Sequence, residues 1–414
     1  MLGIDFVERQ KKFWISDIKG KDICKVIFME DSKKLVVIGA NDFQNQLILK
    51  AKEKGYETHV FAWECGDIGE KNADYFYPIS IVEKEEIYEK CKEIRPCGVV
   101  SIASDLANIT VNYIAEKLGL RCNGIEATEL STNKHIMRDV FEKNNLPSPK
   151  SKLVENIEEY MDIHMSLPLI VKPTDRSGSR GIFKIDNYEQ LKPAIEVAMA
   201  ESFEKKVLVE EFAEGDEYSV EYISYNGKHY FLNTTKKYTT GAPNFIETGH
   251  MEPSGLSEEM VNKVKEVVEK SLDALKVKYG ASHSELKIDN SGNIRIIEIG
   301  SRMGGDCIGS DLVMLSTGFD FVSNVIDVAC GKEPDFTKVK DEEFAAIRFI
   351  FNQDDIDRLE LLKQKYSERL YRISEIEEVS TREVKDSSTR FGYYLFTAST
   401  SEELYKMFNA DTNQ

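Results

Sequence analysis

Residues 283–305, HSELKIDNSGNIRIIEIGSRMGG, constrain the chain more than any other stretch. Asp289-Asn290-Ser291-Gly292-Asn293 is a run of turn formers between two apolar arms, so residues 282–288 and 294–299 are predicted to pair as a β-hairpin. Strand side chains alternate between faces. His283, Glu285 and Lys287 therefore share one face, and Glu298 shares one with Gly300 and Arg302. If the polar faces coincide, Glu285 and Glu298 sit side by side. Two carboxylates so placed repel unless a cation lies between them. Hard oxygen ligands that bind a metal jointly with phosphates point to Mg²⁺. A solvated strand face carrying ordinary charges is the alternative. Ser301-Arg302-Met303-Gly304-Gly305 then sets one arginine beside two glycines, where bare backbone can approach a ligand.

Before Lys34 the sequence says little, and 13–15 (Phe13-Trp14-Ile15) reads as a short strand or a packed arm. From there, strands at 35–40, 57–63 and 98–103 alternate with helices at 43–54, 87–93 and 106–118. Such alternation predicts an open, doubly wound parallel sheet. The turn at Gly39 is not G-x-G-x-x-G, so this domain is expected to support substrate binding rather than hold NAD or FAD. A boundary is expected near Ala127-Thr128. Thr132 or Asn133 can cap the next helix, with Lys134 in its first turn, where a cation opposes the helix dipole unless an anion is near. A surface lysine is the alternative.

A strand at 167–171 closes on Lys172-Pro173, and the loop Thr174-Asp175-Arg176-Ser177-Gly178-Ser179-Arg180-Gly181 follows. Its backbone N–H groups can cradle phosphate, although it lacks the P-loop pattern; a plain hairpin tip is the alternative. A helix spans 188–203. The strand at 207–212 (Val207-Leu208-Val209-Glu210-Glu211-Phe212) breaks at Gly215, and an alternating strand follows at 216–224. Residues 236–253 are read as a long irregular loop of functional type, with His250 either a substrate contact or a structural histidine. A helix is predicted at 256–275. Residues 332–414 read as a small α+β domain whose default role is packing or dimerisation.

The net charge of −18 argues against non-specific binding to nucleic acid or an anionic membrane. No apolar run reaches membrane-spanning length, and the N-terminus lacks the apolar core of a signal peptide. Seven dispersed cysteines without C-x-x-C fit a reducing cytoplasm rather than a disulfide framework or zinc site.

Four blocks in order then resemble the ATP-grasp superfamily: Lys134 after the first domain, VKPTDRSGSRG, VEEFAEGDEYSVE, and SELK with EIGSRMGG. Among its members the carboxylate–amine ligases, including the L-amino acid ligase type, are most similar in texture. The resemblance implies a pre-ATP-grasp domain at 1–128, a two-part ATP-grasp core at 129–215 and 216–331, and a small α+β domain at 332–414. It implies ATP and Mg²⁺ (or Mn²⁺) as cofactors. Lys134 and Lys172 would contact ATP phosphates, and Ser177, Gly178, Ser179 and Gly181 would close over them. Glu210, Glu211 and Phe212 would border adenine, with backbone groups of Glu210 and Phe212 facing the base, and Glu217 would take the ribose. Glu285 and Glu298 would bind metal, and Arg302 would steady the carboxylate and its phosphorylated form, with His250, His283, Gly304 and Gly305 toward substrate. The family often has Asn where this chain has Gly300, so water or Ser301 is expected in its place. The implied activity is ATP-dependent joining of a small carboxylate to an amine in the cytoplasm. A carboxylate–thiol ligase, a carbamoyl-phosphate-synthase-like enzyme and a non-catalytic nucleotide-binding scaffold are the alternatives.

Overall fold

The computed structural model describes residues 33–410 except Ser177, Ser179, Asn244 and Thr381. The readings made for residues 1–30 and for Ser177 and Ser179 lie outside this set.

Strands β1 (Lys34–Ile38), β2 (Glu57–Phe61), β3 (Tyr75–Tyr77) and β4 (Gly98–Val100) form a parallel sheet in the order β3-β2-β1-β4. β1 is apolar on both sides because both are covered. Val36 and Ile38 pack with the helices Lys84–Ile94 and Asp105–Leu118. Leu35 and Val37 pack with Asp42–Glu53 and with Phe321, Val325 and Ile326 of the later helix Phe321–Ala329. The sheet is doubly wound as expected, with one cover borrowed from residues far along the chain. The helix Asp42–Glu53 starts where the Asn41 side chain accepts from the Phe43 and Gln44 amides. The boundary expected near Ala127-Thr128 falls inside the helix Gly124–Thr132.

Next come β5 (Ser151–Val154), β6 (Leu169–Pro173), β7 (Phe183–Ile185) and β8 (Val207–Glu211), ordered β5-β8-β6-β7, with the helix Leu191–Glu201 packed on them. The helix predicted at 188–203 is shorter because Tyr188–Gln190 forms a 3-10 turn.

The largest sheet comprises β9 (Asp216–Tyr225), β10 (Lys228–Thr239), β11 (Glu247–Glu252), β12 (Gly280–Ile288), β13 (Ile294–Gly300), β14 (Phe344–Phe349), β15 (Leu370–Ile373) and β16 (Tyr393–Ala398). Its order is β13-β12-β9-β10-β11-β14-β16-β15. The helix Glu258–Ala274 buries Val264, Val268 and Leu272 against Tyr218, Tyr222, Leu286 and Ile296. The helices Gln353–Lys365 and Ser401–Phe408 cover the other end of the same sheet. The C-terminal strands therefore extend this sheet, a packing role reached through long-range pairing.

The predicted loop at 236–253 is corrected: Lys236, Lys237 and His250 lie in strands, and only a short connection around Phe245 is irregular. These strands carry polar residues on a face that borders a cleft, so the usual apolar–polar alternation is missing.

Candidate active site

The hairpin β12–β13 forms as predicted, and Glu285 is the direct cross-strand neighbour of Glu298. A register shift between Glu285 and Leu286 bulges the pair at this point, a distortion that re-aims side chains. Both carboxylates line a cleft between the four-stranded β5–β8 sheet and the eight-stranded sheet.

A lysine holds each carboxylate. Lys237 Nζ lies 2.5 Å from Glu285, and Lys134 Nζ lies 2.9 Å from Glu298. Lys134 opens the helix Lys134–Lys143, capped by Asn133 as expected, and also donates to the Arg176 carbonyl at 2.8 Å. Burial alone would push the Glu285 carboxyl up, but the charges of Lys237 and His283 hold it well below the ordinary range. Burial would likewise lower the Lys237 ammonium; Glu285, Glu217 and Glu247 together raise it well above its ordinary value. His283 donates between Glu221 (Nδ1–Oε1 2.5 Å) and Glu285 (Nε2–Oε1 3.3 Å). Against burial, these carboxylates lift it to about 9, so it is an imidazolium at neutral pH. Two carboxylates in one cleft, each held by a lysine that a divalent cation can replace, fit Mg²⁺ or Mn²⁺ by donor chemistry.

The neighbouring part of the cleft is cationic. Lys172, at the end of β6, pairs with Glu210 on β8, and Glu210 also accepts from Arg138 Nε at 3.0 Å. Arg138 Nη2 donates to the Ile297 carbonyl at 2.6 Å, tying its helix to the hairpin. Burial depresses the Lys172 ammonium; Glu210 opposes this, while Arg138 and Lys134 add to it. Lys134, Arg138 and Lys172 are all buried, with Glu210 and Glu298 as their carboxylate partners. A surplus of buried positive charge is unfavourable until an anion joins it, which suits this end to phosphates. Ile170, Ile182, Phe212, Phe245 and Ile297 give the same cleft an apolar wall. The rings of Phe212 and Phe245 lie 6.5 Å apart, and such walls suit a flat base. Glu211 and Glu217 also line it.

Arg302 lines the same cleft, bonded to Asp105 through Nε–Oδ1 (2.8 Å) and Nη2–Oδ2 (2.9 Å). A Cβ at Gly300 would stand 3.1 Å from Asp105 Oδ1 and 3.3 Å from the Arg302 guanidinium. The bare residue thus leaves room for this pair.

Residues 165–310 match the family described as the ATP-grasp domain. The matched stretch takes in the hairpin with Glu285 and Glu298. Alanine–anticapsin ligase of Bacillus subtilis (strain 168) is 30% identical over 299 residues, which is 64% of this chain and 63% of that protein. The L-amino acid ligase from Bacillus licheniformis superposes with a TM-score of 0.78 at 22% identity, covering 91% of this chain and 96% of that one. A phosphoribosylglycinamide synthetase from Anaerococcus prevotii gives 0.73 at 21% identity, covering 92% and 98%. The two structural likenesses show that the chain shares the fold of these proteins.

Of the residues singled out in the sequence, the cleft brings together Lys134, Lys172, Gly178, Glu210, Glu211, Phe212, Glu217, His283, Glu285, Glu298 and Arg302. The other residues are placed as follows. The Glu210 side chain is a buried counter-ion, and the Phe212 amide is committed to the Pro168 carbonyl at 3.2 Å. Ser301 bonds Ser131 (2.7 Å) and Asn108 (3.2 Å) and faces away from the cleft. His250 is buried 3.6 Å from Asp306, off the lining. Gly304 packs against His283 and Gly305 near Ala103, while Gly181 borders an adjoining depression. Asp105, Arg138 and Glu247 were not singled out for the site in the sequence, whereas Lys237, read there as part of a cationic pocket with Arg302, pairs with Glu285. Asp105 follows Ser104, whose side chain caps the helix, and reads as an ordinary first-turn acid.

Proposed function

We propose that this chain is an ATP-dependent ligase that phosphorylates a small carboxylate, joins the acyl phosphate to an amine, and releases ADP and phosphate. The observation that carries the reading is the Glu285–Glu298 pair sharing one cleft with the buried Lys134 and Lys172 and with Arg302. A carboxylate is a poor electrophile toward amines, and phosphorylation supplies the leaving group. The protein's task is then to align mutually repelling anions and offset their charge.

In this reading Lys134 and Lys172 bind the triphosphate, and the apolar wall takes the base. Ser177, Gly178, Ser179 and Gly181 belong to the loop that covers the phosphates and excludes water. Glu285 and Glu298 would hold Mg²⁺ or Mn²⁺, which when bound neutralises charge on the phosphates. Arg302, aimed by Asp105, binds the substrate carboxylate and its phosphorylated form. The printed names of the alanine–anticapsin and L-amino acid ligases support amino acids as the substrate class. We divide the chain into a pre-ATP-grasp part (1–128), two ATP-grasp parts (129–215, 216–331) and a C-terminal part (332–414), and place it in the cytoplasm.

The test is ATP- and Mg²⁺-dependent phosphate release across amino acids and small carboxylates, singly and in pairs. Turnover that requires an acid and an amine together supports the ligase. Turnover with acid and thiol pairs alone overturns the amine assignment, and tight ATP binding without any turnover overturns the catalytic reading.

A further inference from the structure

Cys97 and Cys330 stand 233 positions apart in sequence, yet their sulfurs are 3.1 Å apart. Cys97 directly precedes β4 of the parallel sheet, and Cys330 directly follows the helix Phe321–Ala329 that covers it. The elements are held in register there. A Cβ on Gly98 would come within 2.8 Å of the Ala329 carbonyl oxygen, so the backbones touch. Lys54–Asp327 (2.8 Å) and Lys50–Asp320 (3.0 Å) pin the same helix to Asp42–Glu53. Lys332 Nζ donates to the Tyr56 hydroxyl at 2.9 Å. The hydrogen bond from Cys330, and to a smaller degree the Lys332 charge, favour a thiolate at Cys97 against the effect of burial. Cys97 is 7% exposed and Cys330 is half-buried, so a small oxidant has a route to the pair.

We propose that Cys97 and Cys330 are a redox-modification site that closes to a reversible disulfide with a peroxide. The thiolate of the pair attacks one peroxide oxygen; the O–O bond breaks, a sulfenic acid forms, and the other oxygen leaves as water after taking a proton. The second thiol, losing its proton, attacks the sulfenic sulfur; the S–O bond breaks, the S–S bond forms, and a second water leaves. Two thiols lose two electrons in all, and the peroxide is reduced. Closure requires the sulfurs to approach to about 2.05 Å. Disulfides in a reducing compartment are characteristically transient or redox-sensing.

The bond would clamp the first sheet onto the ATP-grasp part close to the site. β4 runs on to Ala103, whose amide donates to the Met303 carbonyl at 3.2 Å, and then to Asp105, the partner of Arg302. This site is independent of the ligase reading.

The experiment treats the full-length protein with hydrogen peroxide, alkylates the remaining thiols and maps the peptides by mass spectrometry. The expected result is a 97–330 cross-linked peptide, removed by dithiothreitol and absent from Cys97→Ser and Cys330→Ser. The oxidised wild type should melt higher by about 3 °C or more, because the cross-link closes a long loop in the unfolded chain. Oxidation of exposed Cys65 while both Cys97 and Cys330 stay alkylatable would overturn the proposal, as would either residue pairing with another cysteine. The wild-type map decides the matter even if a serine variant fails to fold.

Discussion

Asp105 grips Arg302 with two hydrogen bonds of 2.8 and 2.9 Å, joining the first helix after the parallel sheet's β4 to the segment that follows the β12–β13 hairpin. Burial would push the Asp105 carboxyl up, but Arg302 holds it below its ordinary value. The guanidinium is thereby fixed in one orientation in the cleft. In Asp105→Asn the charge that fixes it is gone while its donors remain. Turnover should fall about tenfold to a hundredfold, chiefly through KM for the carboxylate, with ATP affinity unchanged. Arg302→Ala should abolish product formation while ATP still binds, as seen by calorimetry. Weakened ATP binding in both variants would place the pair on the nucleotide side instead.

Lys172→Ala removes a buried cation but leaves Glu210 paired with Arg138 at 3.0 Å. The protein should therefore fold, and its Kd for ATP should rise by at least about tenfold, roughly 1.4 kcal/mol. Nucleotide titration of the folded variant checks this, and an unchanged Kd would remove Lys172 from the phosphate site.

The hairpin was legible in the sequence because its information is local. Period-two alternation, a turn of Asp, Asn, Ser and Gly, and two glutamates at matching positions all lie within about twenty residues. The end of β10 from Lys236 and the whole of β11 were not, because Lys237, Glu247 and Glu252 put charge where a core-facing strand is expected to be apolar. Arg138 was hidden for a similar reason. On an amphipathic helix it reads as solvated, yet it is 3% exposed because Glu210 approaches from a strand seventy-two positions later. The pairing of β14 with β11 joins residues nearly a hundred positions apart, beyond any local pattern.

Glu252 is fully buried on β11, accepting from Thr235 (2.6 Å), Ser316 (2.8 Å) and Asn233 (3.3 Å). Burial pushes its carboxyl from an ordinary 4.5 up to about 8, overcoming those hydrogen bonds. Between these pH values the unfolded chain ionises Glu252 while the folded chain keeps it neutral. Its stabilising contribution is complete below pH 4.5 and declines as pH rises to about 8, by roughly 1.4 kcal/mol per pH unit. Glu252→Gln, which stays neutral, should gain in Tm relative to wild type as pH rises across this window. Thermal melts at pH 5 and pH 8 check the sign, and a pH-independent Tm difference would contradict it.

Gly215 lies between β8 and β9, where the two sheets that wall the cleft meet. Its φ is +106°, and a Cβ would sit 2.2 Å from the Ile288 carbonyl oxygen. Gly215→Ala combines an unfavourable backbone region with a clash against backbone that cannot rotate away. A loss of at least about 2 kcal/mol is expected in urea unfolding. Gly255→Ala, at φ +78° with open space around the added Cβ, should lose less.

The central claim is that the cleft transfers a phosphoryl group from ATP to a carboxylate. With an acid and amine pair that supports turnover, the carboxylate is labelled with ¹⁸O and the released phosphate is analysed by mass spectrometry. An acyl phosphate leaves one carboxylate oxygen on the phosphate, so the account predicts one ¹⁸O per phosphate released. Unlabelled phosphate accompanying amide product would contradict it.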